Sequence, residues 1–164
     1  MSDSEMSLEL FRLQRLEIEF NDDSLSAGED DERCREAYTA EADFDLWERA
    51  EGAKCVTKLR VDCYPESPEV VTRFSKVSIT LFGIFSFSAE TTEEMKSQLA
   101  RYNSVAILHG IARGVVVSAT GSCPGGPFLL PVLNYHEIIE KKLAQESAPP
   151  EEGCGDEEDT VPKG

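Results

Sequence analysis

The stretch VSITLFGIFSFSAETTEEM, Val77 to Met95, changes its side-chain period part-way along and so divides the chain into two kinds of structure. Val77, Ile79, Leu81, Phe85 and Phe87 fall on one side of an extended chain, and Ser78, Thr80 and Ser86 fall on the other. That is the period-two pattern of a strand with one buried face. Phe82 breaks the polar side, and Ile84 and Phe87 extend the apolar zone. Thr91-Thr92-Glu93-Glu94 then has the form of a capping box, with Thr91 as N-cap and Glu94 three residues on. Met95, Leu99 and Tyr102 follow at helical spacing, so strand gives way to helix here.

Upstream the chain reads as strands. Leu8 to Phe20 alternates with a slip in the middle: Leu8 and Leu10 share one face, Phe11 and Leu13 the other, then Leu16, Ile18 and Phe20 return, which predicts a bulge or burial on both sides. The acidic, turn-rich NDDSLSAGEDDER, 21–33, reads as a mobile loop. Ala42, Phe44 and Leu46 alternate with Asp43 and Asp45 in a second strand ending near Trp47. Cys55, Thr57, Leu59, Val61 and Cys63 alternate with Lys58, Arg60 and Asp62 in a third, and Tyr64 to Pro68 turns the chain into the fourth. Short links between successive strands predict an antiparallel meander.

Downstream the chain reads as helices. Asn103-Ser104 is expected to interrupt the first, and Leu108, Ile111, Ala112, Val115, Val116 and Ala119 form the apolar stripe of a second ending before Gly121. Gly110 and Gly114 weaken that helix by about 1 kcal/mol each relative to alanine and suggest close approach by another backbone. A Gly/Pro loop leads to Phe128-Leu129-Leu130-Pro131, an apolar strip whose proline keeps it out of a central strand. Asn134 with Glu137 caps a short final helix through Leu143. The class is α+β, with a domain over 1–145 and a disordered acidic tail over 146–164.

The 32 acidic against 16 basic side chains give a net charge of -16, which disfavours binding to nucleic acid or anionic membranes and suits a basic partner. No run approaches the roughly 18 apolar residues of a membrane span. The start, MSDSEMSLEL, lacks the basic-then-apolar order of a secretion signal, so cytoplasmic location with reduced thiols is the expectation.

Candidates for chemistry are thin. The five cysteines, Cys34, Cys55, Cys63, Cys123 and Cys154, form no CxxC pair, and with His109 and His136 as the only histidines no metal site is expected. Cys123 with His109 or His136 is the one nucleophile-and-base pairing to consider, and a cysteine in a Gly/Pro loop is more often a bystander. GSCPGGP lacks the Lys-Ser/Thr of a phosphate loop. The expectation is a non-enzyme without cofactor, carrying an apolar strip on an acidic body, a combination that fits a protein-binding surface.

Gly83-Ile84-Phe85-Ser86, a helix with Ile107-Leu108 ahead of Ala112-Arg113, a Gly/Pro turn, then Leu130-Pro131-Val132 and Asn134-Tyr135, resembles the SecB export chaperones in order and spacing. Gln14-Arg15-Leu16 to Phe20 resembles that family's first strand, so the likeness covers about Leu8 to Leu143. The chain departs at Gly110 and Ile111, where the family usually has proline and tyrosine, at Gly114, and at the extra Leu133. It has Lys76 and Ser78 where the family contacts the translocase motor SecA through a leucine and a glutamate; Glu17 matches an acidic contact position, and Asn21 replaces another.

The resemblance implies a four-stranded antiparallel sheet with helices packed on one face, assembled as a homotetramer, a dimer of dimers. It implies an ATP-independent chaperone, a holdase for unfolded client proteins, that keeps preproteins export-competent. The alternatives are a dedicated chaperone of an antitoxin or other unstable partner, and an adaptor without chaperone activity. Phe82, Phe85, Phe128, Leu129 and Leu130 are the expected lining of one client groove, and Glu17 the expected contact to a SecA-type partner.

Overall fold

The structure, a computed structural model, describes residues 5–22, 37–49, 53–69 and 71–147. Most of the expected acidic loop and all but the first two residues of the expected tail lie outside the described residues. The strands are β1 (Met6–Phe20), β2 (Tyr38–Glu48), β3 (Lys54–Pro65) and β4 (Phe74–Phe87). α1 (Glu93–Gln98), a π turn (Leu99–Asn103), α2 (Ser104–Thr120) and α3 (Tyr135–Ser147) follow. β2, β3 and β4 are successive antiparallel hairpins, but β1 pairs with β4, giving the order β1-β4-β3-β2. The meander therefore holds for three strands only, and the first lies beside the fourth as in a Greek key.

The slip in β1 is more than one. Register shifts at Leu8/Leu10 and Leu13/Arg15 set Leu8, Phe11, Leu13, Leu16 and Ile18 opposite Phe85, Gly83, Leu81, Ile79 and Val77 of β4. Each shift returns the same side to the helix-covered face, where Leu8, Leu16 and Ile18 pack against the core and Phe11 and Leu13 stay nearly half exposed, and Leu10, opposite Ile84, is left on the other face. The expected alternation of faces along this strand is thus corrected by its bulges.

One face of the sheet is covered by helix. Cys55, Leu59, Val61, Val77, Ile79, Leu81 and Phe85 meet Val105, Leu108, Ala112 and Val116 of α2 in a fully buried core. The helical residues recur at intervals of three and four, so one stripe of α2 lies on the sheet. Gly83 sits beneath that stripe. A Cβ there would lie 2.9 Å from Leu108 and 2.7 Å from the Phe85 ring, so only glycine lets α2 come this close to β4.

The helical region differs from expectation in three details. Thr92, not Thr91, caps α1, accepting the Met95 N–H at 3.3 Å, because Thr91 turns inward and donates to the Glu5 carbonyl at 3.3 Å. The chain is not broken at Asn103-Ser104 but widens through the π turn. There the Ser104 hydroxyl donates to the Ala100 carbonyl and accepts from the buried Thr57 hydroxyl at 2.8 Å. The final helix, capped by Asn134 as its sequence suggests, runs on to Ser147, past the expected domain boundary. Lys142 binds Asp43 and Asp45, each at 3.1 Å, and ties this helix to the β2 edge.

Candidate functional site

The segment from Thr120 to Tyr135 is fixed at both ends. Arg73, at the start of β4, donates to the carbonyls of Pro124 and Gly126 at 3.1 and 2.8 Å. Gly125 adopts φ +80° against the Arg73 side chain, a conformation and a contact that a side chain would not tolerate. The Phe128 N–H donates to Thr120 Oγ1 at 2.8 Å, which starts the apolar strip in a defined direction. At the far end, His109 Nδ1 lies 2.8 Å from the Tyr135 hydroxyl, linking α2 to the first residue of α3.

Between these ties the strip alternates. Phe128, Leu130 and Leu133 are buried, whereas Leu129 is 64% exposed and Val132 82%. The Phe128 ring packs edge-on against Tyr38 and Phe74, with centroids 4.8 and 5.4 Å apart, which places the strip on the helix-covered side of the sheet. The result is an extended segment pinned by three apolar anchors, with two apolar side chains directed outward.

The five residues expected to line one groove are therefore separated. Phe85, Phe128 and Leu130 belong to the core, and a folded chain offers none of them to a ligand. Leu129 is open on the strip. Phe82 is half-buried on the opposite, helix-free face, stacked at 6.3 Å on Trp47 and covered by the Lys58 ammonium at 5.7 Å from its ring centre. Phe82 and Phe85 are three residues apart on one strand, which by itself requires opposite faces. Val132 is not among the residues expected at the site, because period-two spacing from Phe128 and Leu130 would bury it; the slip at Pro131 turns it outward and buries Leu133 instead.

Glu17 lies on the helix-free face but is not a free acid. Lys76 reaches it at 3.2 Å and Arg15 at 2.5 Å. The Lys76 hydrogen bond, helped by the Arg15 charge, holds its carboxyl below the usual carboxylate range. Both histidines considered as a base for Cys123 have other neighbours: His109 bonds Tyr135, and the His136 ring lies 5.2 Å from that of Tyr102. Among the described residues no group of three or more His, Cys, Asp or Glu is arranged to hold a metal ion, and no helix is long and apolar enough to cross a membrane.

Burial pushes the Cys55 thiol up to about 11 and the Cys63 thiol to about 12, while Cys123 is half-exposed. Only the thiolate reacts. Alkylation of the native protein at pH 8, read by peptide mass mapping, is expected to label Cys123 and to spare Cys55 and Cys63 until denaturant is added.

His109 is 2% exposed, and burial holds its pKa below the ordinary value, with the Arg113 charge acting in the same direction. Above pH 6.5 the ring is neutral folded or unfolded and contributes no slope. As pH falls below that unfolded value the unfolded chain takes up a proton that the folded chain refuses, so stability drops by up to about 1.4 kcal/mol per pH unit until the folded pKa is reached. Urea unfolding at pH 7.5 and 5.5 should therefore show a smaller loss in His109→Asn than in the wild type. An equal loss would remove His109 from the account.

A four-stranded antiparallel sheet ordered β1-β4-β3-β2, with its helices on one face, is an α+β architecture. Its likeness in fold to the SecB-like proteins rests on the first of two solved structures. A SecB-like chaperone from Mycobacterium tuberculosis, in complex with a ChAD peptide from the HigA1 antitoxin, superposes with a TM-score of 0.54 at 15% identity, covering 79% of this chain and 88% of that one. A protein of unknown function from Streptococcus agalactiae superposes with a TM-score of 0.47 at 13% identity, over 78% of this chain and 98% of that one. No protein-family model matches the sequence, and no curated protein matches it significantly.

Proposed function

We propose that this protein is an ATP-independent holding chaperone, which binds unfolded or partly folded clients in the cytoplasm and keeps them from aggregating. The observation that carries the reading is the strip Phe128 to Leu133, where buried anchors hold Leu129 and Val132 in the open. Apolar side chains on a fixed backbone bind an extended client without first losing their own freedom. Burying both returns only a few kcal/mol, less than association costs, so one strip binds weakly and several on one particle are needed for a lasting hold.

A homotetramer supplies that multiplicity, and two surfaces favour assembly. β1 is a 15-residue edge strand whose Phe11 and Leu13 are each nearly half exposed. On α2, Gly110 and Gly114 have nothing within 4 Å of a Cβ position, and Ile107 beside them is 38% exposed, which leaves room there for the backbone of another copy. Holding needs no nucleotide, because the client is released by its own folding or by transfer.

A second reading is a chaperone dedicated to one unstable partner such as an antitoxin. The Mycobacterium tuberculosis chaperone of the same fold binds an antitoxin peptide, and Glu17, the acid expected to meet a SecA-type motor, is already engaged by Lys76 and Arg15. Both observations favour a dedicated client over export. Light scattering of a denatured substrate diluted with and without the protein, in the absence of ATP, tests the holding activity. Suppression of aggregation is expected, and undiminished scattering at molar excess would overturn it. Peptides co-purifying with the protein separate the two readings: one dominant client supports the dedicated chaperone, and a broad mixture supports the general one.

A further inference from the structure

The helix-free face of the sheet is ordered in rows by its register. Trp47, Val56, Ile84 and Leu10 stand opposite one another across β2, β3, β4 and β1, an apolar row spanning the sheet. The next row carries Asp45, Lys58, Phe82 and Arg12, and the one after it Asp43, Arg60, Thr80 and Arg15, with both acids at the β2 edge. Asp62, Ser78 and Glu17 follow. Apolar, basic and acidic zones thus succeed one another along the strands.

The basic zone is only partly neutralised. Arg60 pairs with Asp62 at 2.6 Å, Arg15 with Glu17 at 2.5 Å and Lys54 with Glu9 at 2.9 Å. Asp45, at the β2 end of the Lys58 row, is engaged by Lys142 from α3. Arg12, Lys58 and Arg49 make no ion pair among the described residues; the Arg49 charge is felt by Glu9, whose carboxylate is bound by Lys54. Arg12 and Arg49 line a groove of about 460 Å³ whose apolar walls are Leu10, Leu13, Val56, Phe82 and Ile84, and Lys58 stands at its border over the Phe82 ring. On a chain of net charge -16, three cations that make no ion pair among the described residues, beside an apolar row, are a local reversal of sign.

We propose that this groove is a docking site for a short, extended segment of another protein in which acidic and apolar residues alternate. Its apolar side chains lie on the Trp47–Leu10 row, and its carboxylates meet Arg12, Arg49 and Lys58. The row crosses three inter-strand spacings, about 14 Å, the length of about four extended residues. The site is opposite in face and in charge preference to the Leu129–Val132 strip, so it stands or falls apart from the holding function. Long polyanions are disfavoured there, because the acidic body repels whatever extends beyond the groove.

Trp47, the only tryptophan, sits in the row and reports on it directly. Its emission is titrated in the full chain with a short synthetic peptide alternating glutamate and leucine, and with the same peptide carrying lysine for glutamate. Saturable change with the acidic peptide, at least about tenfold tighter than with the basic one and weakened by salt, is the expected result. Arg12→Glu with Lys58→Glu should reverse the preference while leaving suppression of aggregation intact, and Arg49→Glu, at a fully surface position, should weaken acidic binding without touching the sheet. Equal binding of the two peptides, unchanged preference in both variants, or tighter binding of an oligothymidylate would overturn the proposal. So would emission that shifts with protein concentration alone, which assigns the groove to a second copy. Binding that appears only after Asp156→Asn, Glu157→Gln, Glu158→Gln and Asp159→Asn would assign it to the chain's own acidic segment, with the same consequence.

Discussion

Phe128→Ser is expected to destabilise the fold by at least about 3–5 kcal/mol, whereas Leu129→Ser, one residue on, stays within about 0.5 kcal/mol of the wild type. Phe128 is 1% exposed, with its ring edge-on to Tyr38 and Phe74, so truncation removes apolar burial and opens a cavity between β2 and β4. Serine adds a hydroxyl with no partner provided for it, a further penalty in a buried site. Domains are stable by only about 5–15 kcal/mol, so this one change consumes a large share. For a chain of this size it corresponds to a fall in melting temperature of roughly 6–20 °C. Circular dichroism during heating, with the two variants side by side, checks it. A Phe128→Ser protein that melts with the wild type would mean the ring is not in the core. Phe85→Ala should behave like Phe128→Ser, since Phe85 is fully buried beside Gly83 and Leu108. Loss of chaperone activity in either variant would report unfolding rather than a missing client contact.

The contrast between Phe128 and Leu129 also marks what the sequence makes legible. β3 and β4 are readable because each buries one face, and a period of two cannot be mistaken when Cys55, Leu59, Val61, Val77, Ile79 and Leu81 all point inward. β1 is not, because its inward set is chosen by pairing with β4. Two register shifts skip Glu9 and Gln14, and nothing local distinguishes a strand with two bulges from one buried on both sides. The position of β1 beside β4 is a long-range pairing that short links between the other strands cannot reveal. The choice between Thr91 and Thr92 as cap is decided from outside the helix, by the Glu5 carbonyl that takes the Thr91 hydroxyl.

At the site the loss of legibility has a different cause. Phe128, Leu129 and Leu130 read as one surface strip because a Gly/Pro loop precedes them and Pro131 follows. Extended chain cannot present three consecutive side chains on one side, so the middle one faces away from the other two. Charge is harder still. The total of -16 hides the basic zone of the helix-free face, since Arg12 and Lys58 come from two strands, Arg49 follows the end of a third, and they come near one another only once the sheet is assembled.

Leu129→Ser combined with Val132→Ser is expected to abolish most suppression of aggregation while the protein melts within a few degrees of the wild type. Both side chains are largely exposed in the free chain, so their removal exposes no core and leaves Phe128, Leu130 and Leu133 in place. What is lost is burial against the client, about 1–2 kcal/mol for each side chain. At a single strip the pair therefore costs about 30- to 1000-fold in affinity. Because a long client engages several strips of one particle, the weakening is compounded at each of them, and the hold falls further than one strip alone would suggest. Light scattering of a denatured substrate gives the activity, native mass gives the assembly, and heating gives the fold. Intact mass and melting with lost suppression place client contact on the strip. Full suppression by a folded double variant would move it elsewhere, and the exposed Leu10, Phe11 and Leu13 of β1 would be the next apolar surface to test.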